Sequence, residues 1–117
     1  GILYAVCDID EKKLKCAKEK HKNILTFSDY AKVLSDKNIG SVHICTPHYL
    51  HAPMVEAALQ NGKDVVLEKP AAMSLAEFEH LKKIIEASEN RVCVILQNRL
   101  NNCIVKLKEI VEVSRGM

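Results

Sequence analysis

This sequence of 117 residues has few aromatic side chains and a small net charge. Aromatic residues make up 4% of the chain, tryptophan is absent, and the formal net charge is +2. Proteins that bind nucleic acids rely on basic patches and on aromatic side chains that stack on bases, so this composition argues against a nucleic-acid partner. Since 48% of the residues are hydrophobic, the core must be aliphatic, which suits a sheet covered by helices.

Long apolar segments and cysteine pairs are also missing. No apolar run approaches the roughly 18 residues of a membrane span, and no signal-peptide pattern opens the chain, so we expect no membrane partner. The five cysteines form no C-x-x-C pair. Cys7, Cys45 and Cys93 lie in predicted strands, where we expect small buried side chains rather than disulfides or metal ligands. That use of cysteine indicates a reducing compartment and a cytoplasmic protein.

Short apolar runs alternate with helical periodicity along the whole chain. The apolar runs predict strands at residues 3–7, 24–26, 41–47, 65–70 and 92–97. Helices are predicted to start after Asp10 and Ser28, at Pro53, and after Ser74, which forms a capping box with Glu77. A last helix is predicted at residues 102–113. This order predicts an α/β fold in which a parallel sheet has helices on both faces.

Polar side chains follow three of the predicted strands. In open α/β sheets the carboxyl ends of the strands bind ligands, so we expect these side chains to meet in one crevice. A lysine beside such a low-dielectric cleft can act in proton transfer. The side chains concerned are those of Thr46, Pro47, His48 and His51, of Glu68 and Lys69, and of Gln97, Asn98 and Arg99.

Several of these positions have a second interpretation. Asp8 could accept hydrogen bonds from a ribose, could be a turn or cap residue in competition with Asp10, or could be an acidic phosphoacceptor, although no further acids support the last. The spacing of His48 and His51 suits a metal site, but no ligand beside them completes it, so we expect no metal. His43 is expected inside its strand as a core or interface residue.

Glu68, Lys69 and Arg99 also have a second interpretation. Glu68 and Lys69 could form a surface ion pair. Arg99 suits a phosphate or carboxylate, because its guanidinium binds in a bidentate way, but it could equally belong to a helix-entry loop rich in asparagine.

The order and spacing of five short segments resemble a known family. The segments are residues 7–8 (Cys-Asp), 45–51 (Cys-Thr-Pro-His-Tyr-Leu-His), 57–63 (Ala-Ala-Leu-Gln-Asn-Gly-Lys), 68–70 (Glu-Lys-Pro) and 97–99 (Gln-Asn-Arg). Together they are similar to the Gfo/Idh/MocA family of nicotinamide-dependent oxidoreductases, which act mainly on sugars, inositols and related polyols. The resemblance covers nearly the whole chain in order and implies a Rossmann-like domain.

The resemblance also implies a cofactor and roles for the matched residues. The cofactor would be NAD, which Asp8 favours through the adenosine ribose, with NADP as the alternative. Lys69 would contact the substrate hydroxyl and assist proton transfer. His48 stands where the family more often has asparagine and is given no role. The positions matched to cofactor-binding residues are Asp8, Thr46, Pro47, His51, Glu68, Gln97, Asn98 and Arg99.

The chain departs from the family pattern in two ways. It has four glycines and no G-x-G-x-x-G turn to cradle a pyrophosphate. The family also has a second domain, and this chain stops at Arg115-Gly116-Met117, about where that domain should begin. We therefore expect residues 1–117 to be an incomplete dinucleotide-binding domain, without the first strand, the glycine turn or the C-terminal substrate domain, and inactive by itself.

Loss of the first strand affects how the remaining strands pair. In the usual order 3-2-1-4-5-6 that strand is central, so its two neighbours are left about 10 Å apart. Either the strands at 3–7 and 41–47 pair directly, or a second chain supplies the pairing, and we expect a homo-oligomer. Two functions remain open: a fragment of an oxidoreductase that moves a hydride between NAD(P) and a sugar or polyol, or a non-catalytic Rossmann-like binding or oligomerisation module.

Overall fold

The computed structural model describes residues 1–115, in which five parallel strands alternate with five α-helices. The strands are β1 (Ala5–Cys7), β2 (Leu25–Phe27), β3 (Ser41–Ile44), β4 (Asp64–Glu68) and β5 (Val92–Ile95). The helices are α1 (Glu11–Lys20), α2 (Tyr30–Ser35), α3 (His51–Gln60), α4 (Leu75–Ala87) and α5 (Asn102–Arg115). Short 3-10 turns at His48–Leu50 and Gln97–Leu100 precede α3 and α5. Gly116 and Met117, where we expected a domain boundary, lie outside the described residues.

The strands form two separate parallel sheets. One contains β1 and β2, and the other has the order β3-β4-β5. Within residues 1–115, β1 and β3 are not hydrogen-bonded neighbours, so the hypothesis that they close up and pair directly is wrong. Each sheet is held by its own helices, α1 and α2 on the first and α3 on the second. Among the described residues β1 pairs only with β2 and β3 only with β4, so β1 and β3 each have an unpaired edge.

One aliphatic core joins the two sheets. Val33 and Leu34 of α2 belong to the same buried cluster as Ile44 of β3 and Leu67 of β4. The Tyr30 hydroxyl donates to the carbonyl oxygen of Met54 at 3.1 Å, which adds a polar link between α2 and α3. Burial raises the pKa of Tyr30 to about 12, so this hydroxyl stays protonated as a donor. The small helix α2 therefore connects the two sheets where no strand does.

The three-stranded sheet is buried on one face rather than on both as expected. Val65 and Leu67 of β4 face α3 and α4 and are buried, while Val66 on the other face is half-buried. Successive strand residues point to opposite faces, so the side chains level with Val66 also lie on the open side. His43 and Cys93 pair with Val66 in register and are both exposed.

The cysteines do not behave as the sequence predicted. All five are free thiols and all five are exposed, including Cys7, Cys45 and Cys93. The prediction of buried cysteines was wrong because it assumed strands covered on both faces. The core placement of His43 was wrong for the same reason, while its alternative role as an interface residue stays a prediction.

Most helix ends follow the predicted chemistry, with local shifts. The Asp10 carboxylate caps α1, accepting from the Lys12 amide at 2.8 Å, and the Ser74 hydroxyl accepts from the Glu77 amide at 3.2 Å, as predicted. Asp29 caps α2 in place of Ser28, because its carboxylate reaches the Ala31 amide at 2.9 Å.

Two helices expose apolar residues that have the spacing of a buried helix face. Phe78 of α4 is 49% exposed, while Leu81 on the same helix is buried. The apolar positions of α5 are all exposed: Ile104, Leu107, Ile110 and Val111. The pattern identifies an apolar face correctly, but nothing in residues 1–115 covers that face. None of the helices described is long and apolar enough to cross a membrane.

We predict that Leu67→Ala destabilises the chain by about 3 kcal/mol, because Leu67 is fully buried and truncation leaves a cavity. Leu75→Ala is the matched control, since Leu75 is 72% exposed and should change the free energy of unfolding by less than about 0.5 kcal/mol. Urea unfolding followed by circular dichroism measures both. Equal effects in the two variants would contradict the core assigned here.

Candidate functional site at the carboxyl ends of the strands

The carboxyl ends of β3, β4 and β5 lie at one edge of the larger sheet. Ile44 pairs with Leu67, which pairs with Val94, and Glu68 pairs with Ile95. The residues that follow these strands are therefore side by side, as the sequence predicted. They are Thr46 and Pro47 after β3, Lys69 and Pro70 after β4, and Gln97, Asn98 and Arg99 after β5.

Lys69 and the residues after β5 line an open cavity. Its volume is about 410 Å³, and its lining consists of Lys69, Leu96, Gln97, Asn98 and Arg99. This size lies in the usual range of small-ligand sites, and two side chains in the lining carry a positive charge. The cavity thus places the lysine and arginine that the sequence singled out around one space.

His51 links the segment after β3 to the segment after β4. Its ring is completely buried, with Nε2 2.9 Å from the carbonyl oxygen of Thr46 and Nδ1 2.7 Å from that of Pro70. The Thr46 hydroxyl in turn donates to the sulfur of Met54 at 3.3 Å. The Lys69–Pro70 peptide is cis. Both ring nitrogens face backbone, so the ring has none left for a metal ion.

Glu68 and Lys69 do not pair with each other. No ion pair joins them among residues 1–115, which disfavours the surface ion pair considered from the sequence. Glu68 is half-buried at the end of β4. Cys45 is exposed as a residue, but partial burial of its sulfur raises the pKa of the thiol and the charge of Glu68 raises it further, so Cys45 is a neutral thiol beside the site.

Asp8 lies at the end of β1, across the break between the sheets. Its amide donates to the Phe27 carbonyl at 3.2 Å, which fixes the residue at the strand end. The Asp10 amide donates to its Oδ1 at 2.9 Å, and Lys13 Nζ lies 3.4 Å from Oδ2. These contacts, the Asp10 amide first, lower the pKa of Asp8 and keep it ionised. Asp10 caps the helix, so the cap role that the sequence also allowed for Asp8 belongs to Asp10.

Two buried polar residues hold backbone segments together, a role that the sequence did not predict for either. His51 is one, and Lys63 is the other: its Nζ donates to the carbonyls of Asp36 at 2.7 Å and Ile39 at 2.8 Å. In both cases the hydrogen-bond partners are backbone carbonyls, which every residue has. The sequence therefore contains no complementary side chain from which the contact could be predicted. Among residues 1–115 no three His, Cys, Asp or Glu side chains group as a metal ion would require.

Comparison with known proteins identifies the family. Residues 2–96 match the model of the Gfo/Idh/MocA oxidoreductase family, described as having an NAD-binding Rossmann fold. This chain belongs to that family. Membership confirms the resemblance, the Rossmann-like fold and the family's cofactor NAD. The matched region contains Asp8, Thr46, Lys69 and their neighbours, whereas residues 97–99 follow directly after it.

Individual members are moderately similar to this chain. Myo-inositol 2-dehydrogenase from Thermotoga maritima is 29% identical over 96% of the chain, which covers 34% of that protein. The structure of the WlbA dehydrogenase from Bordetella pertussis, in complex with NADH and UDP-GlcNAcA, is 27% identical with a TM-score of 0.88 over 96% of this chain and 34% of that one. Myo-inositol 2-dehydrogenase from Lactobacillus plantarum is 25% identical with a TM-score of 0.88, at 97% and 34% coverage. The chain spans about a third of the length of these relatives.

Proposed function

We propose that this chain forms the cofactor-binding part of an NAD-dependent dehydrogenase that oxidises a hydroxyl group of a polyol or sugar-like substrate. One observation carries the proposal: the cavity at the carboxyl edge of the larger sheet is lined by Lys69 and Arg99. Across the break between the sheets stands the ionised Asp8. Nucleotides bind to open α/β sheets at such a change in strand order.

The side chains present fit the two ends of a dinucleotide. The Asp8 carboxylate has acceptor oxygens for the ribose hydroxyls, and its negative charge disfavours the extra phosphate of NADP. Toward the nicotinamide, the residues that would hold the cofactor are Thr46, Pro47, Glu68, Gln97, Asn98 and Arg99. These 117 residues contribute no glycine-rich turn, so the fit concerns the riboses and the nicotinamide rather than the pyrophosphate.

Lys69 is the residue we assign to the chemistry of the substrate. When bound, NAD supplies a hydride acceptor at its nicotinamide ring. The exposed ammonium of Lys69 lies in the cavity lining, where it would hold the substrate hydroxyl and assist the removal of its proton. Arg99, in the same lining, would orient a second polar group of the substrate.

The substrate class follows from the relatives together with the amide and cationic side chains in this lining. The names of two relatives specify myo-inositol, and the WlbA structure contains a nucleotide-linked sugar acid. Hydroxyl-rich molecules match a cavity whose lining combines amide and cationic side chains. The five free, exposed thiols support a reducing, cytoplasmic location for the protein.

A second candidate function is a non-catalytic binding or oligomerisation module of the same ancestry. It is favoured by the open edges of β1 and β3 and by the exposed apolar positions of α5. Unpaired strand edges and apolar patches promote association between chains. The two candidates differ in whether the chain binds the cofactor, which can be measured directly.

We predict that the purified chain binds NADH saturably and that Asp8→Ala weakens binding about tenfold or more, because the variant loses charged acceptors for ribose hydroxyls. Isothermal calorimetry measures both affinities. Glu79→Ala is the matched control, since it removes an exposed acid from α4, and it should bind as the unchanged chain does.

Lys69→Met should also retain NADH binding, because we assign Lys69 to the substrate. Absence of binding by the unchanged chain up to millimolar NADH would reject cofactor binding by these residues and favour the module. Equal affinity of Asp8→Ala and the unchanged chain would reject the role of Asp8 alone.

We further predict that the chain associates into a homo-oligomer in a concentration-dependent way, since β1 and β3 each have an unpaired edge. Light scattering coupled to size-exclusion chromatography measures the mass. A mass equal to one chain, 13.1 kDa, at every concentration would contradict this.

A further inference from the structure

His51 makes an arrangement of hydrogen bonds that a neutral histidine cannot satisfy. Its ring is fully buried, and each of its two nitrogens lies at hydrogen-bond distance from a backbone carbonyl oxygen. A carbonyl oxygen only accepts, and a neutral imidazole has one N–H and one lone pair. In the neutral ring, a nitrogen lone pair would face the oxygen of Thr46 or Pro70 at less than 3 Å, and a buried acceptor would lose its donor.

The doubly protonated ring satisfies both contacts. An imidazolium has two N–H donors, and hydrogen bonds from a charged donor to a carbonyl are stronger than neutral ones. Both distances, 2.7 and 2.9 Å, fall in the range of such bonds.

The groups around the ring are compatible with a positive charge. Cys45 before Thr46 and Tyr30 behind Met54 both have raised pKa values and are neutral. His48 contacts the ring edge to face, with centroids 5.5 Å apart. Glu68, the last residue of β4, forms no ion pair with His51 among the described residues, so the carbonyl oxygens of Thr46 and Pro70 are the acceptors that face the ring.

We propose that His51 is a positioning residue which, as an imidazolium, holds the Thr46 and Pro70 carbonyls together and thereby fixes Lys69 relative to the end of β3. Pro70 is covalently joined to Lys69, and Thr46 precedes Pro47 at the nicotinamide side of the proposed site. The family resemblance implied that His51 contacts the cofactor. In this proposal His51 instead acts through the two backbone segments that it binds. We call the two hydrogen bonds from the His51 ring to the Thr46 and Pro70 carbonyls the brace. The effect on the cofactor rests on the proposed function, but the brace does not.

Nitrogen NMR of the unchanged chain tests the brace directly. Histidine labelled with 15N is recorded at about pH 8, where a free imidazole is mostly neutral. The signals are assigned with the single variants His21→Gln, His43→Gln, His48→Gln and His80→Gln. We expect His51 to show two protonated ring nitrogens, each with a slowly exchanging N–H. A pyridine-type nitrogen in His51 at this pH would overturn the proposal, whatever the chain does with NADH.

The positioning effect is tested with His51→Phe, which keeps a ring but removes both donors. We expect NADH affinity to fall about fivefold or more, and the amide signals of Thr46 and Lys69 to shift together. His21→Gln is the control, because His21 is an exposed residue at the end of α1. Unchanged amide signals in a folded His51→Phe chain would overturn the positioning role. If the unchanged chain binds no NADH, the proposed function fails while the nitrogen spectrum still decides the brace.

Discussion

The packing of α3 against β4 is the contact on which the rest of this structure depends. Val55 of the helix and Leu67 of the strand are completely buried, and the buried residues of β3, α2 and α4 gather around them. Burial of aliphatic area is the main favourable term in folding, and with few aromatic residues available the chain relies on aliphatic contacts such as this interface. The same helix begins at His51, so its docking on the sheet also sets the position of the ring that links the two strand ends.

The site follows from this arrangement because a parallel sheet collects its carboxyl ends at one edge. Lys69 and Arg99 are thirty residues apart in sequence yet line one cavity, since β4 and β5 are neighbours in register. Asp8 lies on the smaller sheet, and the aliphatic core around α2 is what relates that sheet to the larger one. A cofactor held by both sheets would therefore add a further link across the break.

Particular residues show where sequence reasoning reached its limit. The alternation of Val65, Val66 and Leu67 predicted a strand, but it could not show that one face would stay open, and so Cys93 and His43 were misplaced. Phe78 and the apolar residues of α5 have helical spacing, yet spacing does not say whether a partner element is present to cover them. Capping was predictable to within one residue, because Asp29 and Ser28 can both supply an acceptor to the first turn.

The sequence alone determined the order of strands and helices, the family, and the set of polar residues at the strand ends, because apolar periodicity and local motifs are properties of neighbouring residues. Only the tertiary structure decided that β1 and β3 remain apart, that the cavity is lined by Lys69 and Arg99 but not by Thr46, and that His51 binds two backbone carbonyls. These contacts join residues distant in sequence, and two of the partners are main-chain atoms that every residue possesses. The identity of a side chain does not indicate which main-chain atoms it will contact, so these contacts can be known only from the folded structure.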